Sequence, residues 1–159
     1  MKRAMKTVAR LFLLFAFTSL GFAEKIRESQ TDDIREAVFR WQFKHNASAQ
    51  QENAKVYFLE VGEKEGDPPG EIIKRFADNK PPVRMRSECS VSTRGVFDKK
   101  TGEKGLLFRV RIIEWKSDME VDVKGGYYEH GLSASGNTYT LKKEKGKWRV
   151  TNDTMHWIS

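Results

Sequence analysis

The chain has 159 residues, with 29 Lys and Arg against 22 Asp and Glu, so its formal net charge is +7. The first 23 residues hold four basic residues and no acidic one, which leaves a net charge of only +3 for residues 24–159. This weak basicity argues against a nucleic-acid partner, and a single cysteine, Cys89, excludes an internal disulfide bond.

The N-terminal segment has the parts of a secretory signal peptide. Residues 1–17 begin with a basic stretch and continue as a run of Leu, Phe and Ala, and the small residues Gly21 and Ala23 follow. The apolar run is shorter than the roughly 20 residues of a membrane-spanning helix. We therefore predict a signal peptide at 1–23, one α+β domain at 24–159, no membrane anchor after cleavage, and a secreted or periplasmic location in a bacterium.

Two segments predict helices. In residues 31–45, Thr31 is suited to cap a helix, and the acidic residues after it suit the positive end of the helix dipole. Apolar residues recur there every three or four positions, which predicts an amphipathic helix with Ile34 and Val38 on its buried stripe. Residues 71–79 predict a shorter second helix, stopped by the prolines that follow it.

The rest of the chain predicts antiparallel strands, because β-branched and aromatic residues alternate with polar ones. The predicted strands are residues 54–62, 83–93, 106–115 and 119–130, followed by a hairpin at 137–151 with Lys145–Gly146 at its tip. In the third strand, alternation predicts Phe108, Val110 and Ile112 on one face and Arg109, Arg111, Ile113 and Trp115 on the other.

Helices that precede strands, without alternation of the two, indicate an α+β fold. We expect the N-terminal amphipathic helix and the short second helix to pack on a curved antiparallel sheet of about five strands. The paired glycines Gly125 and Gly126 predict a bulge or a sharp bend in this sheet.

The order of these elements from Asp32 to Ile158 resembles the cystatin-like, nuclear-transport-factor-2-like (SnoaL-like) α+β cone. The resemblance implies a helix lying in a strongly curved sheet. Such cones host isomerases, dehydratases, cyclases, immunity proteins and binding modules, so the fold does not choose among these functions. Local strings also resemble exported bacterial proteins without an assigned activity: FRWQFKHNAS (39–48), DPPGEIIKRFADNKPPV (67–83), YYEHGLSASGNTYTL (127–141) and KWRVTNDTMHWIS (147–159).

The stretch from Gly131 to Gly136 invites comparison with a nucleophile elbow, Gly-X-Ser-X-Gly. Ser133 has a glycine two residues before it, but Ser135 stands where the second glycine belongs. Asp153 and His156 complete a Ser, Asp, His order, yet a strand follows the serines where an elbow needs a helix. We therefore interpret the stretch as a small-residue connection or bulge between strands.

The cone resemblance implies that a catalytic acid or base would lie at the open end, where burial raises the pKa of a carboxyl group. The candidates are Glu88, Tyr128 and His130, with His45 and Arg111 as further polar residues. The sharpest version of the hypothesis pairs His130 with Glu88 or Tyr128. The alternative is that each of these side chains lies on a solvated sheet face.

The three histidines, at positions 45, 130 and 156, lack the short spacing of metal ligands, so we expect no metal site and no cofactor. Cys89 lies in an alternating stretch and fits a small buried residue better than a nucleophile.

Trp115 and Trp157, near strand or chain ends, are candidates for an exposed binding surface for a protein or a small molecule. The alternative is that all four tryptophans pack in the core, and an open sheet face would also allow a homodimer. We expect an exported, non-enzymatic binding or accessory module. The alternatives are a small-molecule isomerase or lyase with an acid–base site in the cone, and an immunity-type inhibitor of a secreted toxin.

Overall fold

The computed structural model describes residues 27, 29–49 and 53–159. The chain divides into two units, Met1–Asp32 and Asp33–Ser159, and the sheet belongs to the second unit. The predicted signal peptide at 1–23 lies outside the described residues. Among the residues that are described, no helix is both long and apolar enough to cross a membrane.

Residues 29–45 form helix α1. Thr31 lies inside this helix and its hydroxyl donates to the carbonyl of Arg27, so Thr31 is not the cap that the sequence predicted. The second helix, α2, is only Gly70–Lys74. The strands are β1 (Val56–Val61), β2 (Val83–Met85), β3 (Cys89–Ser92), β4 (Gly95–Asp98), β5 (Lys104–Ser117), β6 (Glu120–His130), β7 (Ser133–Glu144) and β8 (Lys147–Ile158).

The eight described strands form one mixed sheet, in the order β2-β1-β5-β6-β7-β8, with β4 pairing the start of β5 and β3 pairing β4. Strand β1 runs parallel to both β2 and β5. The predicted fold class, two helices on an antiparallel sheet of about five strands, is therefore wrong. Alternation reports which face a side chain occupies, but it does not report which strands are neighbours or whether they run parallel.

The segment predicted as one strand at 83–93 is three elements. A 3-10 turn at Arg86–Glu88 separates β2 from β3. Glu88 stabilises this turn, because its carboxylate accepts a hydrogen bond from the backbone N–H of Met85 at 3.0 Å. The turn directs the next residues away from β1, so that β3 pairs with β4 in a hairpin instead.

From Ile34 onward, the apolar stripe of α1 packs on one face of the sheet, which we call the helix face. Phe43 contacts Tyr57 and Phe108 at ring-centroid distances of 4.9 and 5.0 Å. Gln42 is buried in this layer, and its amide nitrogen Nε2 donates hydrogen bonds to the backbone carbonyls of Arg109 and Gly126. The interior that a cone enzyme would use is thus filled by packed side chains.

The opposite face of the sheet, which we call the outer face, is covered only in part. The β3–β4 hairpin lies over the β1–β5 end of this face and buries a small second cluster there. Its members are Val56, Phe58, Cys89, Val96 and Leu107, with Val91 and Tyr128 at its margin. The outer face of β7, β8 and the first part of β6 has no such cover among the described elements.

A β-bulge changes the predicted facing of β5. The register with β6 shifts between Val110 and Ile112, so Arg111 is the extra residue. After the bulge, Ile113 and Trp115 contact the helix-face core together with Val110, where simple alternation had placed them on opposite faces. Arg109 and Arg111 both remain on the outer face, next to each other.

The hairpin tip at Lys145–Gly146 is confirmed. Both residues have positive φ, 49° and 77°, as a two-residue turn between twisted strands requires. Of the stretch from Gly131 to Gly136, predicted as a connection or bulge between strands, Gly131 and Leu132 form the turn between β6 and β7, whereas residues 133–136 begin strand β7.

Candidate anion-binding site

The uncovered part of the outer face holds a cleft of about 400 Å³, which we call the outer cleft. Four consecutive strands line it, from β5 to β8. Its lining consists of Arg109, Arg111, Lys124, Gly125, Ser135, Gly136, Asn137, Thr138, His156 and Trp157. The volume lies at the lower end of the range for small-molecule sites, which is about 300–1,000 Å³.

Glycines create the depression. Gly126 of β6 pairs with Arg109 of β5, and Gly136 of β7 pairs with Trp157 of β8. Neither glycine has a side chain to fill the outer face between Arg109 and Trp157. A Cβ atom on Gly126 would lie 2.0 Å from the carbonyl oxygen of Ser135, so these strands approach too closely for any other residue.

One wall of the outer cleft is the indole of Trp157, which is 53% exposed. The indole lies directly over Gly136, because a Cβ atom on that residue would be 2.2 Å from Nε1 and 2.5 Å from Cε2 of the ring. The glycine therefore leaves room for the indole to pack against the backbone of β7 while much of the ring stays exposed. A register shift between Gly136 and Asn137 leaves His156 as an extra residue in β8, which brings His156 and Trp157 to the same rim.

The opposite wall is cationic, and a buried carboxylate organises it. Glu60 is fully buried, and its Oε1 lies 3.2 Å from Arg109 Nε and 3.4 Å from Arg111 Nη2. Its Oε2 lies 3.1 Å from Nε of Arg86. Arg111 also reaches Glu65 at 3.4 Å. These three guanidinium groups thus share two carboxylates, which leaves an excess of positive charge beside the cleft.

Arg109 is the most enclosed of these cations. Its guanidinium lies 5.3 Å from the centroid of the Tyr128 ring, in the arrangement of a cation–π contact. Burial lowers the pKa of Arg109, and the charge of Glu60 opposes that shift. Arg109 Nε is buried and makes no hydrogen bond to any described group, so its contact with Glu60 is an ion pair of poor hydrogen-bond geometry.

Lys124 extends the cationic wall along β6. Its Nζ lies 2.7 Å from Oε1 of Glu114, and this hydrogen bond is the main cause of the lowered pKa of Glu114. The side chain of Lys124 is 51% exposed, so the ammonium group is able to exchange its partner for a bound anion. At the rim, Thr138 Oγ1 and His156 Nε2 form a hydrogen bond of 2.8 Å.

The sequence-derived catalytic candidates do not converge. Glu88 is exposed and holds the turn before β3. Tyr128 donates its hydroxyl proton to the carbonyl of Ser92 at 3.0 Å. His130 accepts from the backbone N–H of Leu132, and its Nε2 lies 3.4 Å from the buried carboxylate of Glu129. The pairing of His130 with Glu88 or Tyr128 is therefore not formed.

The serines, Asp153 and His156 do not form a triad either. Ser133 donates to Glu129 at 2.7 Å, and Ser135 donates to Asn137 at 2.7 Å. Asp153 accepts from Asn137 and from the indole N–H of Trp41, on the helix face. His156 bonds to Thr138 on the outer face, so neither serine has a histidine as its base.

The two tryptophans proposed as binding anchors have different environments. Trp115 packs on the helix-face core, with its ring edge-on to Trp148 at 5.6 Å. Trp157 is exposed and belongs to the outer cleft. A homodimer through the open sheet face stays a prediction.

Among the described residues, no group of three or more His, Cys, Asp and Glu side chains is placed to hold a metal ion. Cys89 is buried, and burial raises the pKa of its thiol. His45, a further polar candidate, is exposed and stacks on Trp41 at 3.8 Å.

A second cavity, between α1 and the β7–β8 hairpin, is lined by Asp33, Glu36, Arg40 and Lys147 among others. Its acidic groups are already paired, because Glu36 contacts Arg40 at 2.8 Å and Arg75 contacts Asp33 at 2.7 Å. The outer cleft is distinguished from this cavity by its one-sided charge.

Comparison with protein-family models, with curated proteins and with solved structures finds no match for this chain. The interpretation of the site therefore depends on its own geometry.

Sequence reasoning identified Arg111 and Trp157 but not the cleft that joins them. Arg109, Lys124, Gly136 and Thr138 were missed, because they come from three strands that are brought together by register. A cleft could have been suspected from the glycines at positions 125, 126 and 136, which lie within or directly before neighbouring predicted strands. The strand before them carries the two arginines of β5.

Proposed function

We propose that this protein is an exported, non-enzymatic binding module whose outer cleft holds a small anion. The observation that carries the proposal is the convergence of Arg109, Arg111 and Lys124 on one glycine-floored cleft. Guanidinium groups recognise carboxylates and phosphates through paired, charge-assisted hydrogen bonds. Thr138 and His156 supply further polar groups at the same cleft.

The filled helix face supports a binding role over the isomerase or lyase alternative. An enzyme of that type needs an enclosed pocket with a tuned acid or base. The buried layer beneath α1 holds packed aromatic and aliphatic side chains instead. No observation on the described residues favours the toxin-inhibitor alternative.

The test is a titration of the full chain with inorganic phosphate, sulfate and acetate. The affinity of each anion is measured by isothermal titration calorimetry at low salt. The double variant R111Q/K124Q removes two cations that are 37% and 51% exposed, so the fold is expected to survive the change. Arg149 of β8, which is 62% exposed and pairs with Glu144 of β7, gives the matched control R149Q.

We expect the double variant to lose at least tenfold in affinity, which corresponds to about 1.4 kcal/mol for two charge-assisted contacts. The control should bind like the wild type. Equal binding by the wild type and the double variant would show that the anion lies elsewhere, and absence of binding by the wild type would refute the proposal.

A further inference from the structure

We infer that the natural ligand of the outer cleft is an aryl anion, which is a flat ring bearing a carboxylate or a phosphate. The inference rests on the proposed function and adds the part of the ligand that is not charged. It follows from the arrangement of one exposed indole opposite a cationic wall.

The exposed indole of Trp157 lies outside both hydrophobic clusters of the described residues. A large aromatic side chain that is 53% exposed, at the end of an edge strand, gains little from contact with the protein. The indole nevertheless packs against the backbone at Gly136, where a Cβ atom would collide with the ring. This packing holds one part of the indole against the backbone of β7 and leaves the exposed part of the ring accessible to a flat ligand.

The distance across the cleft matches such a ligand. Arg109 on β5 and Trp157 on β8 are separated by β6 and β7, and neighbouring strands lie about 4.8 Å apart, so the two backbones are roughly 14 Å apart. The indole of Trp157 covers Gly136 on β7, and the guanidinium of Arg109 lies beside Tyr128 on β6. The remaining space suits a single ring with its anionic group directed at Arg109, Arg111 and Lys124.

The polar rim sets the orientation of the ligand. The Thr138–His156 hydrogen bond holds the imidazole beside Trp157 on the outer face. The cations lie at the β5–β6 side of the cleft and the indole at the β8 side, so the cleft is amphipathic from one end to the other. A ligand without a ring would satisfy only the cationic end.

The experiment compares matched pairs of anions on the full chain. Benzoate and cyclohexanecarboxylate have the same charge and similar size, but only benzoate has a π-face. Phenyl phosphate and inorganic phosphate form the second pair, in which only phenyl phosphate has a ring. Comparison of phenyl phosphate with benzoate then distinguishes a phosphate head group from a carboxylate. We expect wild-type protein to prefer benzoate over cyclohexanecarboxylate by about fivefold, as a single aromatic contact provides.

Two variants connect this preference to Trp157. W157L should bind both carboxylates equally, whereas W157F should retain part of the preference because it keeps a ring. Leu132 is 82% exposed in the turn between β6 and β7, so L132A serves as a control that removes an exposed apolar side chain outside the cleft. Acrylamide quenching provides a second readout, because a bound ring should protect Trp157 from the quencher.

The outcomes are distinguishable. If simple anions bind through Arg111 and Lys124 but the wild type shows no preference for benzoate, or if W157L keeps the preference, the aryl-anion inference is wrong and the proposed function stands. If no anion binds at all, both fall together.

Discussion

At the scale of single residues, the buried carboxylate of Glu60 determines where the arginines of the outer cleft lie. Glu60 is fully buried in contact with three arginines, and it fixes Arg109 and Arg111 at the cleft wall. A buried carboxylate of this kind is costly to desolvate, and removal of either partner leaves an uncompensated charge. We therefore assign Glu60 as a positioning residue for the cationic wall.

Replacement E60Q should destabilise the protein by roughly 3 kcal/mol, because it leaves the arginine cluster with one neighbouring carboxylate. Urea unfolding at neutral pH measures this change. The matched control is E144Q, which breaks an exposed contact of 3.9 Å with Arg149 and should cost less than about 1 kcal/mol. Equal effects of the two variants would show that the cluster does not stabilise the fold.

Asp98 provides a prediction for the dependence of stability on pH. Hydrogen bonds from the backbone N–H groups of Thr101 and Lys100, together with Arg84, lower the pKa of its carboxyl group. Because the folded-state pKa is below the unfolded value of about 4, this stabilisation is present above pH 4 and is lost as the pH falls through the folded-state pKa.

The variant D98N should therefore be less stable than the wild type at pH 7, and the difference should shrink when unfolding is measured below pH 4. D78N, at a side chain that is 80% exposed, serves as the control. A difference between D98N and wild type that stays constant with pH would contradict this account.

Cys89 should be inert. It is buried in the cluster beneath the β3–β4 hairpin, and burial raises the pKa of its thiol. An aromatic disulfide reagent should react with native protein far more slowly than with protein unfolded in urea. Immediate stoichiometric reaction of the native chain would contradict the placement of Cys89.

At the scale of elements, glycines and bulges shape the outer face more than any strand pattern does. The sequence correctly predicted the helix at α1, the long strands β5 and β6, and the turn at Lys145–Gly146. It did not predict the bulge at Arg111, because one extra residue in a strand leaves no mark on alternation until the partner strand is known. The same limit hid the extra residue His156 in β8.

Three Gly→Ala variants test how closely the structure packs against each glycine. Their free energies of unfolding are measured by thermal and urea unfolding. G126A places Cβ against a backbone carbonyl that is unable to move alone, so it should cost about 3 kcal/mol. In G136A the three atoms nearest to the new Cβ all belong to the exposed indole of Trp157, which is able to swing away, so this variant should cost about 1 kcal/mol and increase acrylamide quenching. G70A meets ordinary contacts at 3.8 Å and should change stability by less than about 0.5 kcal/mol.

The informative result is the order of the loss in stability, which should be largest for G126A, smaller for G136A and smallest for G70A. If G136A were as disruptive as G126A, the indole would have to be a rigid part of the fold and not an adaptable wall of the cleft.

At the scale of the second unit, Asp33–Ser159, the two faces of the sheet differ in how far they are covered. The helix face is closed by α1 and holds the main core, and the outer face is closed by the β3–β4 hairpin at one end and open at the other. The predicted packing of the apolar stripe of α1 on a sheet is observed, whereas the predicted antiparallel sheet of about five strands is wrong. The sequence predicted neither the parallel pairing of β1 nor a cleft on the face away from the helix, because both depend on contacts between residues that are distant in the chain.

The most direct test of the central claim is to map the binding site by NMR, using amide chemical shifts of the full chain during titration with benzoate. The account predicts shifts at Arg109, Arg111, Lys124, Gly136, Thr138, His156 and Trp157, with the core residues of α1 unaffected. Shifts concentrated between α1 and the sheet, or no shifts at millimolar benzoate, would contradict the assignment of the outer cleft as an anion site.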